Sequence, residues 1–129
     1  MFRVTLKTLP IFLMAITSVN ALANGEAIYK SICMACHASG ADGAPKFQSI
    51  RDWAPIIKEG KVHVIAEAYN GVRKMPAKGG NPNLKLEEFS EALIYMANAS
   101  GARWKKPTEY EYLQIRNKIA KASKKRKSY

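Results

Sequence analysis

Two cysteines and a histidine stand together in the run Cys33-Met34-Ala35-Cys36-His37, and the chain contains no other cysteine. Residues at i, i+3 and i+4 project from one side of a helical turn. Two thiols at this spacing can add to the two vinyl groups on one edge of a porphyrin, and the histidine that follows can then reach the iron. The motif therefore predicts one covalently attached haem, bound through Cys33 and Cys36, with His37 as an iron ligand.

Other uses of the cysteine pair fit the sequence less well. A thioredoxin-like redox pair opens a helix after a strand, where the helix dipole lowers the thiol pKa, and no strand pattern precedes Cys33. A zinc site built from the two cysteines with His37 or His63 lacks the spacing of a zinc finger. A disulfide between Cys33 and Cys36 remains an alternative on the motif alone.

A haem iron has a sixth position, for which the chain offers three methionines and one further histidine after residue 33. Met34 lies between the thioether positions and cannot reach the opposite ring face. Met96 belongs to an apolar helical stripe and His63 begins a helix beside a lysine, so we expect core and surface positions for them. Met75 stands alone in a turn-rich loop, where the following proline favours extended backbone. We predict Met75 as the distal ligand; a loop side chain that only fills a gap is the alternative.

An iron held by His37 and Met75 has no open position. Thioether sulfur favours ferrous iron, so the pair is suited to electron transfer at a raised potential. No catalytic residue is predicted. If Met75 does not ligate, a haem enzyme or gas sensor with an open iron becomes the alternative. Metal-bound imidazoles also need an acceptor for the second ring nitrogen, and a backbone carbonyl near Pro45 is predicted for His37.

The elements that position these residues read as all-α, with about four helices and long loops. Helices are predicted from Asn24, over 52–58 with Asp52 as the cap, over 62–70 and over 86–98. Between them lie loops rich in glycine and proline, 39–45 and 73–83. No segment alternates like a strand. Such loops need a large body to wrap around, and a haem supplies one.

Residues 1–23 have the anatomy of a secretory signal peptide: Arg3 and Lys7, an apolar run over 11–16, and small residues before a cut after Ala23. The apolar run is shorter than the roughly 20 residues of a membrane-spanning helix. We predict cleavage after Ala23 and a periplasmic location. An uncleaved anchor is the alternative.

Charge is concentrated at the C-terminal end. Residues 24–101 carry nine Lys/Arg and eight Asp/Glu, whereas residues 102–129 carry ten Lys/Arg and two Glu. We predict a basic extension over 102–129, partly helical or disordered. It is either a solvated tail or a docking element for an acidic redox partner or an anionic membrane surface. Nucleic acid is excluded as a partner by the predicted compartment.

Taken in order, the motifs resemble those of small soluble class I c-type cytochromes, especially the bacterial c5-like branch. The resemblance covers about residues 25–101, and the motifs that carry it are residues 33–37, Gly43-Ala44-Pro45-Lys46, Trp53-Ala54-Pro55, Gly71 with Met75-Pro76-Ala77-Lys78-Gly79-Gly80, and Tyr95-Met96 with Asn98-Ala99-Ser100. Two features depart from it: the chain lacks the second cysteine pair of some c5-like proteins, and it continues for 28 residues past Gly101.

The resemblance implies a cytochrome c domain, taken here as residues 24–101, folded as a compact set of helices around one haem c. It implies Met75 as distal ligand and Pro45 as the partner of His37. It also implies that Trp53 lines the haem pocket near a propionate, with a core tryptophan as the alternative. The function expected is that of a one-electron carrier between redox proteins, not an enzyme. A dedicated subunit of a periplasmic oxidoreductase complex is the alternative.

Overall fold

The computed structural model describes Met1 and residues 20–127. The α-helices are α1 (Asn20–Ile28), α2 (Met34–His37), α3 (Ile50–Lys58), α4 (Lys61–Asn70), α5 (Leu86–Ala99) and α6 (Glu109–Lys127). A π-helical segment, Tyr29–Cys33, joins α1 to α2, and 3-10 turns lie at Ala41–Gly43 and Ala77–Gly80. In this described part the extended pairing is limited to one isolated bridge, between Val72 and Met75. The all-α prediction is confirmed.

Helix α1 crosses α5 at close range because a glycine stands at the crossing. A Cβ on Gly25 would lie 2.5 Å from the carbonyl oxygen of Glu91. Beside it, Asn24 Nδ2 donates to the Glu91 carboxylate at 2.7 Å. The helix begins at Asn20 rather than at the predicted Asn24, so the predicted cut after Ala23 falls inside α1. Residues 2–19 of the predicted signal peptide lie outside the described residues.

Helix α3 begins two residues before its predicted start. Ser49 is its N-cap, with the side-chain oxygen accepting from the backbone N–H of Asp52 at 3.3 Å. The prediction of Asp52 as the cap was wrong, because a hydroxyl three residues earlier takes that N–H. Asp52 instead lies in the first turn, where its carboxylate accepts a hydrogen bond from the backbone N–H of Lys46 in the preceding loop.

One apolar core joins all the long helices. Its buried residues come from α1, the π-helical segment, α3, α4, α5, α6 and two adjoining loops. They are Ile28, Tyr29, Cys33, Trp53, Val64, Ile65, Ala66, Ala68, Leu84, Leu86, Phe89, Ala92, Leu93, Ile94, Met96, Ala97, Ala102, Tyr112 and Ile115. Phe47 ties the loop after α2 to this core by stacking on Tyr29, with ring centroids 4.5 Å apart.

The C-terminal extension is part of the fold. The amide of Asn98 holds Trp104 by both backbone groups, donating to its carbonyl at 2.9 Å and accepting from its N–H at 2.8 Å. Thr108 and Glu111 then cap α6 reciprocally, with backbone-to-side-chain distances of 2.8 and 3.2 Å. Tyr112 and Ile115 are buried. Of the two alternatives for this segment, the structure describes a helix over Glu109–Lys127 that packs on α4.

Candidate functional site

A cavity of about 350 Å³ opens between α2, α4, α5 and the loops that follow α2 and α4. Its volume lies within the roughly 300–1,000 Å³ typical of ligand pockets. The predicted site residues that line it are Cys33, Cys36, His37, Pro45, Trp53 and Met75. Apolar side chains complete the walls: Ile32, Ile56, Val64, Ala68, Val72, Phe89, Leu93 and Met96. The fold therefore brings the six predicted residues to one apolar cavity.

His37 ends α2 and is buried. Its Nδ1 lies 2.9 Å from the carbonyl oxygen of Pro45, the acceptor that the sequence predicts. A carbonyl can only accept a hydrogen bond, so this contact places the ring proton on Nδ1 and leaves the lone pair of Nε2 available to a metal.

The residue after Pro45 is held from both sides by α3. The backbone N–H of Lys46 donates to Asp52 Oδ2 at 3.2 Å, and its carbonyl accepts from Trp53 Nε1 at 3.0 Å. The Lys46 N–H is the largest cause that lowers the pKa of Asp52 below its ordinary value. These contacts fix the loop that carries the Pro45 carbonyl. Asp52 and Trp53 thus position His37 through the loop.

Trp53 has features of both alternatives that the sequence left open, a tryptophan that lines the pocket and a tryptophan of the core. Its side chain is buried in the core and also lines the cavity. The indole N–H donates to Lys46 and is therefore not free for a second acceptor. A propionate near this side chain remains a prediction, but the N–H is not available to bond it in this arrangement.

A tight turn positions Met75. Val72 and Met75 exchange two backbone hydrogen bonds, at 3.1 and 2.8 Å. The chain enters this turn through Gly71 at φ 85°, where a Cβ would lie 2.8 Å from the amide nitrogen of Ala77. Arg73 lies within the turn at φ 51°, a conformation that residues other than glycine seldom adopt. The loop is therefore set by its backbone, with Met75 half-buried and facing the cavity.

The cysteines differ in environment. Cys36 is exposed, whereas burial raises the pKa of Cys33 to about 11, so its free thiol is protonated at neutral pH. Both cysteines line the cavity together with His37 and Met75. Two thiols followed at once by an imidazole, with a thioether on the same apolar cavity, are a donor set that fits a haem c.

Comparison with known proteins agrees with this donor set. The family model described as "Cytochrome C oxidase, cbb3-type, subunit III" matches residues 20–96. Cytochrome c-555 of Prosthecochloris aestuarii is 39% identical over 85 residues, which cover 60% of this chain and 86% of that protein. The chain belongs to the cytochrome c family. It is a small class I c-type cytochrome, as the sequence motifs predict.

Further relatives support the same assignment for this cytochrome. Cytochrome c5 of Ectopseudomonas mendocina is 34% identical over 71 residues, covering 50% of this chain and 77% of that protein. A crystal structure titled "electron transfer complex of nitrite reductase with cytochrome c" contains a chain that superposes with a TM-score of 0.57 at 35% identity, covering 60% of this chain and 94% of that one. The cytochrome is accordingly an electron-transfer protein rather than an enzyme, and the family implies haem c as its cofactor.

The residues rejected as distal ligands lie as follows in this cytochrome. Met34 is 45% exposed. His63 is half exposed, with Nε2 3.5 Å from a carboxylate oxygen of Glu59 and 3.9 Å from one of Glu67. Met96 is buried, as predicted, but it also lines the cavity. Sequence reasoning therefore missed its place in the wall, which its stripe with Phe89 and Leu93 could have indicated.

Exposed charged residues of both signs line the cavity, and the part of the lining that they form is called here the mouth. Acidic Asp42, Glu59 and Glu67 line it together with basic Arg73 and Lys74. Lys74 Nζ lies 3.4 Å from Asp42 Oδ1. Among the described residues, none from α6 lines the cavity. Within the same part of the cytochrome, no helix is long and apolar enough to span a membrane.

Proposed function

We propose that this cytochrome is an exported, periplasmic one-electron carrier whose single haem is bound through Cys33 and Cys36 and ligated by His37 and Met75. One observation carries the proposal: these four residues line the same apolar cavity of a cytochrome c fold. The haem would supply the one-electron exchange between ferric and ferrous iron. The surrounding residues hold, orient and enclose it.

The residues that line the cavity have distinct tasks in this proposal. The Pro45 carbonyl accepts from Nδ1 of His37 and so keeps Nε2 directed to the metal. The Met75 thioether would be the second protein ligand of the iron and would favour its ferrous state, which would leave small molecules no free coordination site. The apolar walls would exclude water from the haem. This would lower the reorganisation energy of electron transfer, because fewer water dipoles turn when the charge of the iron changes. Trp53 is part of this wall and also bonds the loop that carries Pro45.

Redox proteins are the proposed partners. The structural neighbour lies in a complex with nitrite reductase, which supports exchange of electrons with another protein. We place the exchange at the cavity mouth, where Asp42, Glu59, Glu67, Arg73 and Lys74 lie. The competing function is a dedicated subunit of an oxidoreductase, which the description of the family model favours. Size-exclusion chromatography of the native protein from its own cells separates a monomeric carrier from a subunit in a larger complex.

Export with cleavage after Ala23 is part of the proposal. The mature chain would begin at Asn24 and keep the contact of that residue with Glu91. Intact-mass measurement and a pyridine haemochrome spectrum of the protein from its own cells test both parts. We expect one covalent haem with two thioether bonds on a chain that starts at Asn24. A chain without covalent haem would contradict the proposed haem attachment, and a chain that retains residues 1–23 would contradict the proposed cleavage.

A further inference from the structure

Helix α6 lies apart from the cavity, with α4 in contact with both. Val64, Glu67 and Ala68 of α4 line the cavity. At the two ends of the same helix, Lys61 Nζ bonds Glu111 Oε2 at 2.9 Å and Asn70 bonds α6 through its amide and its carbonyl. A surface that docks on α6 is therefore separated from the cavity by α4.

The sides of α6 differ sharply. Tyr112 and Ile115 are buried against the core. The spacing of 110, 113, 117, 121 and 124 places these residues together on the opposite side, called here the outer face. The outer face begins with two large hydrophobic residues, Tyr110 at 69% and Leu113 at 58% exposure. It continues with Lys121 and Lys124, and Lys118 flanks it; all three lysines are exposed.

Helix α6 is already folded and bonded to α4 near both ends, so that docking requires no folding of a tail. Its N-terminus is capped by Thr108 and joined to α4 through Lys61. Near its other end, Arg126 donates to the Asn70 carbonyl at 3.0 Å. A preorganised surface avoids the entropy cost of ordering a segment on binding.

The position of the basic charge decides which partner fits. An electron acceptor must reach the cavity mouth, and the charges there are of both signs. The unbalanced positive charge lies on α6, where a redox protein would be held away from the mouth. Lysines further along the same helix as an exposed tyrosine and leucine suit a lipid interface, which takes up apolar side chains and attracts cations to its headgroups.

We propose that the outer face of α6 docks this cytochrome on an anionic lipid surface and leaves the cavity mouth open to redox partners. The open mouth rests on the proposed electron-carrier function, because redox partners must reach it. Lipid binding itself does not depend on that function. Failure of lipid binding therefore leaves the proposed electron-carrier function intact.

Partition of the haem-loaded protein onto lipid vesicles tests the proposal, with haem absorbance as the readout. Vesicles of phosphatidylglycerol and phosphatidylcholine at equal parts are compared with pure phosphatidylcholine, at low and at high salt. We expect binding to the anionic vesicles that is tight at low salt and weaker at high salt, since the Debye length shortens. No preference for the anionic vesicles would overturn the proposal.

Two variants separate the charges from the apolar contacts. The triple variant Lys118→Gln, Lys121→Gln, Lys124→Gln should bind about 100-fold more weakly, since each lysine near anionic lipid contributes about fivefold. The double variant Tyr110→Ser, Leu113→Ser should lose the part of the binding that survives added salt. A control that removes three exposed charges elsewhere, Lys30→Gln, Arg51→Gln, Lys58→Gln, should lose less than about fivefold, because none of the three belongs to α6. An equal loss in the control would show a diffuse charge effect and overturn the proposal.

The orientation is tested on vesicle-bound protein with hydroquinone, a small neutral reductant. Reduction at the rate of the free protein is expected, because the mouth faces away from the lipid. A tenfold slower reduction on vesicles would place the mouth against the lipid and overturn the orientation. Absence of vesicle binding, together with a salt-dependent slowing of electron transfer to an acidic protein in the lysine variant, would assign α6 to a protein partner instead.

Discussion

The cavity loops and helix α6 are held by different kinds of contact. His37 reaches the Pro45 carbonyl eight residues away, and Trp53 reaches the Lys46 carbonyl seven residues away. The hydrogen bonds between α6 and α4 instead join residues 49 to 56 positions apart. The site thus rests on local backbone geometry, whereas the extension rests on contacts distant in sequence. This difference explains why one region carries readable motifs and the other does not.

Truncation of Ile115 is the strongest way to separate an integral helix from a loose tail. Ile115 is fully buried, so Ile115→Ala should lower the free energy of unfolding by about 2–5 kcal/mol. Denaturant unfolding measures the effect. Leu113→Ala on the exposed side is the control and should change stability by about 0.5 kcal/mol or less. Equal, small effects at both positions would show that α6 is not part of the core.

Gly71 tests whether backbone geometry sets the Met75 loop. A Cβ at this position meets the amide nitrogen of Ala77 at 2.8 Å, so Gly71→Ala should cost about 1–3 kcal/mol and disturb ligation by Met75. Gly60→Ala is a matched control: its φ of 87° is nearly that of Gly71, but its Cβ would meet nothing within 4 Å. Both variants carry the same backbone strain, and we expect the extra loss in unfolding experiments only for Gly71→Ala.

Trp53 tests the link between α3 and the loop of His37. Trp53→Phe keeps an aromatic ring but removes the indole N–H that donates to the Lys46 carbonyl. The free energy of unfolding should fall by about 0.5–1.5 kcal/mol. The reduction potential should shift as well, because the Pro45 carbonyl that orients His37 loses its support. Trp104→Phe is the control, since Trp104 is not among the residues that line the cavity. An unchanged potential in Trp53→Phe would restrict Trp53 to a core role.

Acid should loosen the attachment of α6. The hydrogen bond from Lys61 is the largest cause that lowers the pKa of Glu111 below its ordinary value of 4.5. A carboxyl with a lowered folded-state pKa stabilises the fold above its ordinary pKa, and this stabilisation is lost as the pH falls through the lowered value. Unfolding experiments below pH 4.5 should therefore show a decline for the wild type that is smaller in Glu111→Gln. Parallel pH profiles would contradict the role of this ion pair.

Particular residues show how far the sequence could be read. The positions of Cys33, Cys36 and His37 follow from helical spacing, and the periodicity of the apolar residues placed α4 and α5 within a residue or two. The start of α3 was missed because Ser49 and Asp52 are both good caps, and only the loop geometry shows that Asp52 bonds Lys46. The docking of α6 could not be predicted, because its partners Lys61, Asn70 and Glu87 lie far away in sequence and in no recognisable pattern.

Ligation by Met75 is the central claim of the site and the most direct to measure. The ferric protein should show the weak long-wavelength absorption band of a thioether–iron bond. Met75→Ala should abolish the band, whereas Met96→Leu, which alters the other methionine of the cavity wall, should retain it. A wild-type protein without the band, or a band that survives in Met75→Ala, would contradict the His37–Met75 pair.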